Sequence, residues 1–148
     1  MGDERIAELI ESLRRRGERV TTARRALLGA LAGADRHLSA DELAAEVHRL
    51  HPDVHRATVY RSLDTLTQLG LVEHSHLGHG AAVYHLADDV HQHLVCEDCG
   101  AVIEVPPELF SDVAGDLRRR YGFEISSRHF ALVGRCRSCA ATARAALP

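Results

Sequence analysis

The chain has four cysteines, and all of them fall in two Cys-x-x-Cys pairs, Cys96/Cys99 and Cys136/Cys139, with His91-x-His93 just ahead of the first pair. A Cys-x-x-Cys sets two thiolates on one tight turn. Two such turns brought together offer a closed tetrahedral sulfur shell, the coordination that suits structural zinc. Redox thiols can share this spelling, but the use of every cysteine in matched pairs favours zinc. The stretch from Gly100 to Arg135 is longer than the loop of a small zinc finger, so the metal should staple the two ends of a subdomain whose folding depends on it.

Histidine is the second resource, with 11 in 148 residues. His91 and His93 stand two apart on an extended segment and so point to the same side. Neutral imidazoles there suit a divalent ion. His48, His51, His55 and His79 read as ordinary polar positions in loops or on helix faces.

Composition sets the bounds. The length allows one good core or two small ones, and no apolar run is long enough for a membrane span. The residues after Met1 lack the basic, apolar and small-residue order of a secretory signal, and reduced thiols fit the cytoplasm. A formal charge of −3 argues against a chain coated in nucleic acid. The distribution is uneven, however, since Arg14, Arg15, Arg16, Arg19, Arg24 and Arg25 crowd one segment that reads alone as a solvated helix face.

The elements that must position these residues follow from periodicity. Ile6, Leu9, Ile10 and Leu13 recur at helical spacing over Glu4–Arg16, with Gly17 as a stop. A second helix is predicted over Thr22–Ala32. Ser39-Ala40-Asp41-Glu42 is a capping box that opens a third helix carrying Leu43, Val47 and Leu50, which ends before Pro52. A fourth runs from His55 to Leu69 through Val59, Leu63 and Leu66, closed by Gly70. Leu71–His74 and Ala82–Leu86, joined through Gly78-His79-Gly80, read as a two-stranded wing. Further on come strands near His93–Cys96 and Ala101–Val105, a helix from Pro106-Pro107 to about Tyr121, and a last strand over about Phe123–Gly134 that delivers Cys136. The fold class is therefore α+β: a winged helix-turn-helix domain over residues 1–86, a hinge at 87–90, and a small α/β domain over 91–148.

Arg56-Ala57-Thr58-Val59-Tyr60-Arg61 opens the fourth helix with hydroxyls, an aromatic ring and two guanidiniums on its first turns, as recognition helices in the major groove do. Arg61 can pair with a guanine edge or a phosphate, and the Tyr60 ring can pack on a thymine methyl. A half-buried Tyr60 anchor and a surface Arg61 is the bland alternative. The wing that follows weighs against it.

As a set these residues resemble the ferric uptake regulator family, metal-dependent dimeric repressors. The likeness spans about residues 5–140 and rests on Val20-Thr21-Thr22-Ala23-Arg24-Arg25, Thr58-Val59-Tyr60-Arg61-Ser62-Leu63, Gly70-Leu71-Val72 and His91-Gln92-His93-Leu94-Val95-Cys96-Glu97-Asp98-Cys99-Gly100. It implies structural zinc on Cys96, Cys99, Cys136 and Cys139. It implies DNA contact from Arg19, Arg24, Arg25, Arg56, Thr58, Tyr60 and Arg61, on a palindromic operator read by a homodimer. It places a regulatory divalent metal at the interdomain hinge, on positions matching His37, His85, His91, His93 and Glu104, with Asp89 as a further ligand. Metal binding would then set the angle between domains and hence DNA affinity.

Within the family, the nickel-responsive actinobacterial branch is similar at Leu77–Gly80, Tyr84–Asp88 and His129-Phe130-Ala131. It implies a further metal on His74, His76 and His129. The nickel cluster of that branch is all histidine, whereas one of its positions is Asp89 here. A carboxylate moves preference toward Fe2+ or Mn2+, and Zn2+ tolerates both donor types. Two alternatives stand beside a metal-dependent repressor: an iron-based peroxide-sensing repressor of the same family, and a zinc-dependent hydrolase with an open site on His91, His93 and Glu104. The winged helix and the lack of a substrate-cleft motif argue against an enzyme.

Overall fold

The computed structural model describes residues 2–78, 80–125 and 130–146. They form two compact units, one from the chain up to His74 together with Ala82–Asp89, the other from Ser75–Ala81 together with the chain from Val90 onward.

The first unit contains α1 (Gly2–Arg15), α2 (Thr22–Ala32), β1 (Leu38–Ser39), α3 (Ala40–Leu50), α4 (Arg56–Gln68), the hairpin strand β3 (Ala82–Leu86) and the start of its partner β2 (Val72–His76), whose last two residues fall in the second unit. Helix α2 packs against α1, α3 and α4. Their apolar stripes meet in one core in which Leu13, Leu27, Leu28, Leu43, Leu63 and Leu66 are fully buried. Truncating any one of these to Ala removes about 2–5 kcal/mol. The caps are local chemistry. Thr21 Oγ1 accepts the Arg24 amide at 3.2 Å. At α3 the Ser39 hydroxyl accepts the Glu42 amide at 3.2 Å while the Glu42 carboxylate accepts the Ser39 amide at 2.8 Å, closing the capping box. Gly70, at φ 68°, takes the left-handed conformation that turns the chain from α4 into β2.

Side chains tie the ends of this unit together. The Arg16 guanidinium, after α1, donates to the carbonyl of Leu69, after α4. Arg5 makes a fork to Asp88, Nε to Oδ2 at 3.1 Å and Nη2 to Oδ1 at 2.5 Å. Strand β1 was not legible in the sequence. It is two residues long and pairs antiparallel with β3, Leu38 opposite Tyr84, giving a sheet of order β1-β3-β2.

The second unit contains β4 (Gln92–Cys96), β5 (Val102–Val105), a 3-10 turn (Pro107–Phe110), α5 (Ser111–Tyr121), β6 (Ala131–Gly134) and α6 (Arg137–Ala145). The sheet order is β5-β4-β6. β5 is antiparallel and β6 parallel to β4. Three expectations need correction. The helix expected from Pro106-Pro107 is a 3-10 turn first, over Pro107–Phe110, and becomes α-helical only at Ser111. The last strand is confined to Ala131–Gly134, the residues that pair with His93–Cys96. Residues 126–129 of the longer expected strand lie outside the described residues. A helix, α6, follows Cys136 where none was foreseen. No helix among the described residues is long and apolar enough to cross a membrane.

The capping box carries a pH signature. The Glu42 carboxyl is lowered from 4.5 to about 2, first by the Arg36 guanidinium and then by the Ser39 amide and hydroxyl. A folded-state value below the unfolded one means that folding favours the charged form, so the stabilisation is complete above pH 4.5 and is lost as pH falls through about 2. Glu42→Gln should therefore cost about 0.5–1 kcal/mol at pH 7, given the exposure of the group. The gap to the unsubstituted protein should close toward pH 2, as followed by urea denaturation and helical circular dichroism.

Candidate metal centres and nucleic-acid interface

The strand directions bring the two cysteine pairs together. β4 ends at Cys96, and β6, running the same way, ends at Gly134 opposite it, so the turns that follow both strands emerge at one end of the sheet. The first turn folds over Gly100, at φ 74°, whose amide donates to the Cys96 carbonyl at 2.9 Å. The second is the start of α6, with Cys136 as N-cap and Cys139 in its first turn.

The four sulfurs lie within 4.8 Å of one another, one from each cysteine, and Cys99 Sγ to Cys136 Sγ is 3.8 Å. A zinc ion bound at about 2.3 Å by four thiolates requires sulfur–sulfur edges of about 3.8 Å, so the donor set fits the ion. The thiol protons point the same way. Backbone amides of Cys136 and Cys99, the former at 3.3 Å, hold Cys96 down at about 6, whereas Cys139, facing the Cys136 and Cys99 thiols, is pushed up to about 12. Four thiolates share this space only around a cation.

On the same unit, His93 stands opposite Glu104 in the β4–β5 register, and His91 lies two residues earlier. The Nε2 atoms of His91 and His93 are 3.1 Å apart, with the rings edge-on at 80°. His91 Nε2 is 3.8 Å from Glu104 Oε1. His93 is buried, His91 half-buried and Glu104 exposed. Two imidazole nitrogens on one tetrahedral ion at about 2.0–2.1 Å stand about 3.3–3.4 Å apart, close to the spacing found.

In the first unit, His37 and His85 form an edge-to-face pair with ring centroids 4.9 Å apart. His85 is buried, and its Nε2 lies 3.8 Å from Oε2 of the equally buried Glu73. Sequence reasoning missed the buried Glu73, although an acid directly after the apolar pair Leu71-Val72 was the available signal. Asp89 is exposed on the same unit. His74, half-buried, packs its ring 5.8 Å from that of Tyr84, and His76 is exposed. The third member of that set, His129, lies outside the described residues.

Of the arginines expected at DNA, Arg19, Arg25, Arg56 and Arg61 are exposed. Arg24 is turned inward. Its Nη1 donates to Glu18 Oε2 at 2.9 Å and to the Arg19 carbonyl at 2.7 Å, leaving its side chain 15% exposed, so it braces the segment before α2 instead of offering a free cation. Thr58 and Tyr60 are half-buried on the first turns of α4. His55 stands at the N-cap of α4 but makes no side-chain cap bond.

A helical unit with a hairpin wing and a second unit with a four-cysteine knuckle define a metalloregulatory winged-helix protein. The ferric uptake regulator family model matches residues 15–133, and the chain belongs to that family. It is 33% identical over 142 residues to the ferric uptake regulation protein of Bacillus subtilis, covering 93% of this chain and 95% of the relative. Among solved structures, the manganese-containing ferric uptake regulator of Pseudomonas aeruginosa superposes with a TM-score of 0.69 at 35% identity, covering 86% and 96% of the two chains. A zinc uptake regulator in complex with zinc and DNA gives 0.63 at 26% identity, covering 97% and 98%. The protein is thus a DNA-binding, metal-dependent transcriptional repressor of a family whose members act as dimers.

Cys136→Ser should remove one sulfur from the shell. The purified variant is expected to lose most of its zinc by atomic emission and to melt well below the unsubstituted protein. A variant that retains zinc and melts normally would refute the fit.

Proposed function

We propose that the repressor is switched by a divalent ion held jointly by His37, His85 and Asp89 from the DNA-binding domain and by His91, His93 and Glu104 from the dimerisation domain, with structural zinc on the four cysteines. The observation that carries this reading is the convergence of His91, His93 and Glu104 on one face of the β4–β5 pair, with the two Nε2 atoms 3.1 Å apart. The domains are taken as 1–86 and 91–148, with 87–90 as the hinge. Ligands drawn from both sides of that hinge are held at one angle when the site is filled, and in a dimer that angle sets the spacing of the two α4 helices on a palindromic operator. The reading is of a cytoplasmic regulator and not an enzyme. Mixed imidazole and carboxylate donors favour Fe2+ or Mn2+ over nickel. The likeness of Leu77–Gly80 and Tyr84–Asp88 to the nickel-responsive branch makes Ni2+ the informative comparison.

Homodimerisation has its own support. In the second unit Ile103, Leu94 and Leu132 stand in register across the sheet, and Ile103 and Leu132 are 50% and 48% exposed in the single chain. Val102, Val133, Leu109, Val113 and Phe123 are exposed as well, apolar surface that a second copy can cover. Ile103→Asp should convert the dimer to monomer in analytical ultracentrifugation while zinc content stays at the level of the unsubstituted protein.

The switch is tested by anaerobic fluorescence anisotropy of the zinc-loaded protein on a duplex from its own promoter, titrated separately with Fe2+, Mn2+, Ni2+ and Zn2+. Coupling between two sites is typically about 5–150-fold in affinity. One ion should produce a gain of that order, and His93→Ala should abolish it with structural zinc retained. An undiminished metal response in that variant would move the sensor off this residue.

A further inference from the structure

A carboxylate at the start of α3 binds two side chains on the first turns of α4 that are proposed to meet DNA. Asp41, exposed in the first turn of α3, accepts a hydrogen bond from Arg56 Nη2 at 2.5 Å and, on the same Oδ1, one from the Tyr60 hydroxyl. Arg56 Nη2 also reaches the Tyr60 oxygen at 3.1 Å, and its guanidinium carbon lies 5.5 Å from the Tyr60 ring centroid. All three residues belong to the first unit. The Tyr60 hydroxyl, and then the charge of Arg56, hold the Asp41 carboxyl below its usual value.

Stability does not account for this arrangement. The Arg56–Asp41 pair has side chains 65% and 70% exposed, and surface pairs contribute little. A negative charge on a surface that meets phosphates also opposes binding in general. What the carboxylate does provide is order. It engages one cation that would otherwise seek any phosphate, and it fixes the tyrosine ring that reads base edges.

We propose that Asp41 is a specificity-determining residue for operator recognition, restraining Arg56 from sequence-independent phosphate contact and presenting Tyr60 in one orientation. The inference rests on α4 being the recognition helix.

The test uses the full dimer with both metals bound, on its promoter duplex and on a scrambled duplex of equal length, across a salt series. Asp41→Asn keeps the side-chain size and an acceptor oxygen but removes the charge. One added phosphate contact steepens the log–log salt dependence by about 0.9, or about three-fold in affinity between 50 and 200 mM salt. The variant should therefore bind the scrambled duplex more tightly, with a slope steeper by about one, and its preference for the operator should fall. Adding Arg56→Ala to Asp41→Asn should return the slope to that of the unsubstituted protein, and Asp41→Glu should retain the preference. A merely structural role at the start of α3 would leave slopes unchanged. Equal slopes and preference in Asp41→Asn, or a gain that Arg56→Ala does not cancel, would overturn the inference alone. An unsubstituted protein with no preference for its promoter would overturn the recognition-helix reading and the inference with it.

Discussion

Strands β4 and β6 run parallel, and that single direction decides where the second unit can place its sulfur. An antiparallel partner would have sent the Cys136/Cys139 turn to the opposite end of the sheet. Because Cys96 and Gly134 face each other at the ends of parallel strands, the first knuckle begins at the last residue of β4 and the second only two residues beyond β6. The remaining geometry follows from this: the left-handed turn at Gly100, Cys136 at the head of α6, and a shell in which backbone amides favour the Cys96 thiolate while neighbouring thiols hold the Cys139 proton. A cation that draws the protons off all four sulfurs would tie the closure of the sheet to metal.

The two units solve stability differently. The first buries a continuous set of leucines and valines from four helices and a hairpin, and its polar ends are closed by caps. The second buries little in the single chain. Among the described residues, its α5, β5, β6 and α6 contain no fully buried side chain. A unit so short of core depends on cross-linking by metal and on covering its apolar face with another copy. The four cysteines and the exposed apolar residues proposed for the dimer interface thus belong to the same β4-centred unit that carries His91 and His93.

Much of this was legible in sequence because it is local. The capping box, the bounds of α2, the wing strands and the cysteine spacing are each set by residues within a few positions of one another, and the four thiols converge as their spacing implies. What escaped was set by distant partners. The two-residue β1 exists only because β3 runs beside it. Arg24 looks like one more surface cation until Glu18 and the Arg19 carbonyl are seen to take its guanidinium. The burial of Glu73 becomes clear only when β3 brings His85 against it. The run Ala140-Ala141-Thr142-Ala143 is helical in propensity but too short to declare a helix by periodicity alone, and α6 takes its start from Cys136 as N-cap.

The fork between Arg5 and Asp88 has a mechanical meaning. Asp88 is the residue before Asp89, at the start of the proposed hinge, and Arg5 belongs to the first turns of α1, which packs on α2. Without such a strap, the exit from β3 would be a slack lead in which small displacements dissipate. With it, in the proposed switch, a pull applied at Asp89 has a side-chain route through Asp88 and Arg5 to α1. In the proposed switch, that route would bring the N-terminal helix, remote in sequence from every proposed metal ligand, into the transmission.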